Sequence, residues 1–221
     1  MDEITEKQGW HLLAVVVLAG LSFIILQTDE GFSIGCFWGI ETSVWFWSAI
    51  FIAIFHQLFV WAAWRFQLST EWVTKKFQAS GFTAYLIIFF ILIFSRLMFV
   101  VFTAVSNRGS ITIQGGIKWP LVILFSVLAI WLFYSVIRYF GLKRAAGADH
   151  FFSEYRNLPL VKQGIFKYSD NGMYVYGFLI FWLIAILFES KAALLLAGFN
   201  HVYIWVHYYC TELPDMKRMY G

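Results

Sequence analysis

The strongest constraint on this chain is a series of long apolar runs separated by short polar breaks, near residues 10–27, 44–66, 83–105, 119–140, 173–188 and 192–209. A helix needs about 20 mostly apolar residues to cross the hydrocarbon of a bilayer. It is also the form that satisfies its own backbone hydrogen bonds there. Only 13% of the 221 residues are charged, against roughly 25% in a soluble domain. The expectation is an all-α polytopic membrane bundle of about six transmembrane helices. The last two runs are separated only by Glu189, Ser190 and Lys191. A tight hairpin is predicted there, because a Glu and a Lys at the bilayer centre are costly.

The opening "MDEITEK" is acidic and lacks the basic start and small-residue cleavage site of a signal peptide, so the first run is read as a helix. This topology puts Cys36 and Cys210 on opposite faces, which argues against a disulfide, and no metal-ligand spacing occurs. There is no repeat or linker, so one domain spans 1–221, and no nucleic-acid partner is expected.

Charge placement orients the bundle. Lys7, Arg65, Lys75, Lys76, the six basic residues from Arg138 to Lys167, Lys217 and Arg218 lie on one side, against Arg108, Lys118 and Lys191 on the other. The positive-inside rule then puts both termini and the 141–171 loop in the cytoplasm. Arg96, inside the third run, should face the bundle and find a partner. Arg65 and Arg138 are placed to reach lipid phosphates from helix ends, and Arg138 is the preferred contact for a substrate phosphate.

The loop of about thirty residues exceeds a passive connection. Within it, "DHFFSEYRNL" sets Phe151, Phe152, Tyr155 and Leu158 at helical spacing, as in a short interfacial helix. Further on, Asp170 and Asn171 occupy N-cap positions for the fifth run. They either cap it or leave its first-turn amides free for an anion. In the sixth run His201, Trp205, Tyr208 and Glu212 share one helical face, and Asn200, His207 and Thr211 the next. Two polar faces on one membrane helix should meet protein or a cavity. His207 is either a hydrogen-bonded structural residue or a base. A carboxylate at a helix C-terminus opposes the dipole, so Glu212 is either simply solvated or compensated, a cationic ligand being one candidate.

The stretch "LVKQGIFKYSDNGMYVYG" resembles the membrane methyltransferases that share the isoprenylcysteine carboxyl methyltransferase and phospholipid N-methyltransferase core. Gly164, Phe166, Asp170, Asn171, Met173 and Tyr174 fill that motif, in the Asp-Asn form of the phosphatidylethanolamine enzymes. The ending "YYCTELPDMKRMYG" is similar to the family's terminal Glu pair, with Glu212 as the second Glu. Gly172 stands where the motif has proline, and Thr211 where it has the first Glu. The resemblance covers roughly 119–221 and leaves the helices of 1–118 outside. "AAGADHFF" is similar to a glycine-rich family motif, but no role is assigned to it.

The resemblance implies S-adenosylmethionine as cofactor, held by Gly164, Phe166, Asp170, Asn171, Gly172, Met173, Tyr174, Tyr208, Thr211 and Glu212. Glu212, His207 and Asp170 are the candidate catalytic groups. Arg138, Tyr168, Trp205 and His201 would meet a membrane lipid, most simply the amine of phosphatidylethanolamine, entering sideways between the fourth and sixth helices. Tyr168, Tyr174, Trp205 and Tyr208 are candidates for an aromatic cage around a methylated cation. Asp215 is a possible substitute for the missing Glu. The location implied is the endoplasmic reticulum in a eukaryote or the inner membrane in a bacterium. Carboxyl methylation of an isoprenylated cysteine, a haem carrier using His56, His201 or His207, and a noncatalytic lipid binder are the other readings.

Overall fold

A computed structural model describes residues 3–221. The helices are α1 (Gln8–Thr28), α2 (Thr42–Thr70), α3 (Trp72–Ser106), α4 (Gly115–Ser135), α5 (Gly172–Phe188), α6 (Lys191–His207) and α7 (Leu213–Tyr220). α1 to α4 are long and apolar enough to cross a membrane, α4 being extended to Phe140. α5 and α6 are shorter apolar helices joined at Glu189 and Ser190. The expected polytopic all-α bundle is therefore present, with each of the six runs on a helix.

The predicted hairpin between the last two runs is real. Glu189 takes the left-handed conformation that ends α5, and the Ser190 side chain caps α6 by accepting from the Ala193 N–H. Neither charge enters the bundle centre, because Glu189 pairs with Lys118 at 2.9 Å and Lys191 pairs with Asp29. α3 begins earlier than its apolar run suggests. Its first residues fold through a non-helical Gln78 before the straight membrane portion.

α6 is the hub of the bundle, packing against α1, α2, α3 and α5, and α5 packs in turn against both α4 and α6. A lipid arriving between the fourth and sixth helices would therefore meet α5. Ala192, Ala193, Ala197, Ala49, Ala53, Ala104 and Ala185 are fully buried. Small residues let membrane helices approach closely where no hydrophobic force drives them together. Arg96 faces inward as expected. Its Nε donates to Asn200 Oδ1, and its guanidinium lies 5.1 Å from the Phe178 ring centroid.

Two expectations are corrected. Arg65 does not reach lipid: it is fully buried and ion-paired with Asp215. The burial is possible because its donors also reach the main chain of Glu3, Cys210 and Thr211. The loop aromatics do not form one interfacial helix either. Ala148–Phe151 and Ser153–Arg156 are separate single turns, interrupted by an extended Phe152. Phe151 inserts between Phe82 and Tyr85, with ring centroids 4.9 and 4.8 Å away, so the loop packs on α3. Leu158 lies beyond the turns and is exposed.

On the opposite face Asn107 ties the connections together. Its amide donates to the Gly31 and Ile34 carbonyls, and its Oδ1 accepts from Ser110, Ser190 and the Ala192 N–H. Each net hydrogen bond is worth about 1 kcal/mol, and the groups left behind are buried. Asn107→Ala is therefore expected to destabilise the protein by about 2–4 kcal/mol, read as a lowered melting temperature in detergent. A surface control, Arg108→Ala, should change little.

Candidate functional site

α5 starts and α6 ends on the same face of the bundle, as the hairpin requires. Tyr174, in the first turns of α5, lies 5.6 Å from Tyr208 and 5.9 Å from Trp205 between ring centroids. The two motifs, more than thirty residues apart in sequence, therefore meet. Trp205, Tyr208 and Tyr209 form a further set of ring contacts beside them.

Two widened turns frame this region. α4 continues into a π turn at Val136–Phe140, and α6 into one at Tyr208–Glu212. Such turns are often found at functional sites. The motif loop docks on the first. Gly164 has φ +59°, and a Cβ there would sit 2.9 Å from the Ser135 Cβ. Only glycine takes this backbone shape freely and leaves that space. Ser135 Oγ then accepts from the Ile165 N–H at 3.1 Å. Phe166 is buried against Phe140, with centroids 5.2 Å apart. Gly164 and Phe166 thus seat the loop, and Gly172 is buried next to Phe166 and Ile165.

Asn171 precedes α5 without its side chain capping the helix. Its carbonyl accepts from the N–H groups of Tyr174 and Val175, and the side chain stays half-buried, next to the exposed Asp170. Met173 is half-buried and packs with the Ile165 and Phe166 cluster. Tyr168 is exposed and its ring meets Trp131 at 5.6 Å. Arg138 is exposed, 5.9 Å from the Tyr139 ring centroid.

Glu212 is half-buried, and its Oε2 has no hydrogen-bond partner among the described residues. Burial raises its carboxyl to about 7; Asp149 and Asp215 push the same way, and His150 opposes them. Thr211 is buried, its hydroxyl accepting from Gln8 Nε2 at 3.3 Å. His207 is buried with Nδ1 unpartnered, its ring 6.2 Å from His11 and 5.7 Å from Trp64. His201 accepts from the Trp182 indole at 3.1 Å, while His56 packs on Phe89.

A charged cluster beside Glu212 was not legible in the sequence. His150 stacks on Trp64 at 4.1 Å, with Nδ1 3.0 Å from Asp149 Oδ1 and Nε2 3.5 Å from Asp215 Oδ2. Burial alone would lower its pKa, but the two aspartates outweigh it and raise it to about 9. Tyr220 donates to Asp149 Oδ2 at 2.9 Å, which fastens the C-terminal helix to the loop. Asp215, considered as a second ligand carboxylate, is committed to Arg65 and His150. Gly147, at φ +85°, makes the docking possible, since a Cβ there would fall 2.5 Å from the Trp64 indole.

Two grooves of about 860 and 590 Å³ lie elsewhere, one along the outer stripe of α3 and one beside Trp47 and Phe99. Neither is lined by the motif residues.

Residues 119–221 match the family described as phospholipid methyltransferase. The matched segment is a little under half of the chain and supports a phospholipid-methyltransferase-like membrane enzyme; the first three helices lie outside it. No curated protein and no solved structure matches it.

His150 and Glu212 predict the pH dependence of stability. A folded state that holds His150 near 9 rather than 6.5 loses that contribution as pH rises through 9. Glu212, raised from 4.5 to about 7, acts in the same direction in the lower window. Melting temperature should therefore fall across both windows. Glu212→Gln should flatten the lower one and His150→Asn the upper one.

Proposed function

We propose that the chain transfers a methyl group from S-adenosylmethionine to the amine of phosphatidylethanolamine or its methylated derivatives. The single observation that carries this reading is the unpartnered carboxylate oxygen of Glu212, one turn beyond the Tyr208 ring that meets Tyr174 of the motif. A half-buried carboxylate oxygen with no hydrogen-bonded protein cation, the neighbouring His150 being held by Asp149 and Asp215, suits a ligand that brings one. The residues around it fit the donor. The uncapped start of α5 offers amides and the free Asn171 side chain to a carboxylate. Tyr174, Trp205 and Tyr208 offer ring faces to a sulfonium or methylated ammonium. When bound, S-adenosylmethionine supplies an electrophilic methyl and leaves as the neutral thioether.

The work of this chain is positioning and proton handling. A primary ammonium resembles lysine, with a reference pKa of about 10.4, and must lose its proton before it attacks. Glu212, titrating near 7, is suited to accept that proton close to neutral pH. Seating of the loop on α3 and of Phe166 against the end of α4 fixes the position of the motif residues. Arg138, exposed at the head of the loop, is the residue assigned to a lipid phosphate under this reading. The face with more Lys and Arg is the cytoplasmic one under this reading.

The test is transfer of a labelled methyl from S-adenosylmethionine into phospholipid by purified protein, with isoprenylated cysteine supplied in parallel. Label in methylated phosphatidylethanolamine is expected, and Glu212→Gln should lower kcat/KM by about 100-fold. Label only on the isoprenylated cysteine, or none at all, would overturn the reading.

A further inference from the structure

One polar side chain of α1, Gln8, and one of α2, Arg65, converge on a short stretch of main chain, the widened turn Tyr208–Glu212. In an ordinary α-helix the Cys210 carbonyl would accept from the residue four positions on. That residue is Pro214, which has no N–H. The orphaned carbonyl is recovered from outside the helix. Gln8 Nε2 donates to it at 3.0 Å and Arg65 Nη2 at 3.3 Å, and Arg65 also reaches the Thr211 carbonyl at 3.3 Å.

Gln8 is itself held. Its Oε1 meets His11 Nδ1 at 2.9 Å, and His11 Nε2 meets the Tyr203 hydroxyl at 3.0 Å. Tyr203 and Cys210 belong to the same continuous helical stretch, so the chain of contacts leaves it at Tyr203, runs through α1 and returns at Cys210. It bridges the point where the helix widens. All three side chains are buried. Gln8, His11 and Arg65 lie outside the segment that carries the family pattern.

We propose that Gln8, His11 and Arg65 are positioning residues for the methyl-transfer site, clamping the widened turn so that Glu212 faces the start of α5. A widened turn adds one residue per turn and so resets the direction of every side chain after it. Without external donors for Cys210, the segment has no reason to keep that phase. The clamp rests on the functional reading for its purpose, but its existence is testable without activity.

Cys210 is buried inside the clamp, whereas Cys36 is exposed on the opposite face. In a Cys36→Ser background, the rate of Cys210 alkylation by a small maleimide reports opening of the turn. Gln8→Leu is expected to speed alkylation about tenfold, the effect of losing one buried hydrogen bond. It should also raise KM for S-adenosylmethionine about tenfold, with kcat changed less. Gln8→Met, which keeps the unbranched shape, is the second variant should leucine fail to fold, and Glu212→Gln should leave alkylation unchanged. Unchanged alkylation in the Gln8 variants would overturn the clamp. Faster alkylation with unchanged KM in active protein would overturn the positioning role. If wild-type protein transfers no methyl group, the functional reading falls and the alkylation result alone decides whether the clamp exists.

Discussion

Arg65 and Asp215, both without solvent exposure, form the contact on which the functional face depends. Burying two charges is expensive, and the attraction between them repays it only when the remaining donors and acceptors are satisfied. Here the guanidinium also reaches three main-chain carbonyls, and Asp215 has His150 on its other oxygen. Separating the tail from α2 would strand a buried charge, a loss of about 3–5 kcal/mol in comparable sites. The pair therefore fixes the tail, the loop and α2 as one unit, and Glu212 takes its place within it.

This arrangement explains how a chain whose family pattern begins at residue 119 uses the helices before it. α6 is packed by small residues at the centre of the bundle, in contact with α1, α2, α3 and α5. Trp64 and Tyr85 receive the loop: the Trp64 indole donates to the Tyr85 hydroxyl, which donates to the Ala146 carbonyl. The unmatched helices are thus supports for the matched segment. They present buried polar side chains where its loop and tail need partners.

Within the motif the residues divide by what they touch. Gly164 and Phe166 are engaged in packing the loop against the end of α4. Asp170 and Asn171 remain uncommitted at the start of α5, and Glu212 keeps an unpartnered oxygen. Thr211 points away from that group, toward Gln8. Thr211, which the resemblance sets at the position of the first terminal Glu, is thereby built into the α1 contact.

The sequence alone determined the membrane class, the six helical runs, the hairpin at Glu189 and the inward-facing Arg96, because lipid makes hydrophobic length and buried charge decisive wherever they occur. The motif at Gly164–Tyr174 and the tail glutamate were also legible, as local patterns of residue type. Other features belong to the tertiary structure alone. The burial of Arg65, the His150 cluster, the docking of Phe151 on α3 and the bridge from Tyr203 through His11 and Gln8 to Cys210 all join residues far apart in the chain. Local periodicity shows that a polar group will need a partner; which partner it finds depends on how the helices pack.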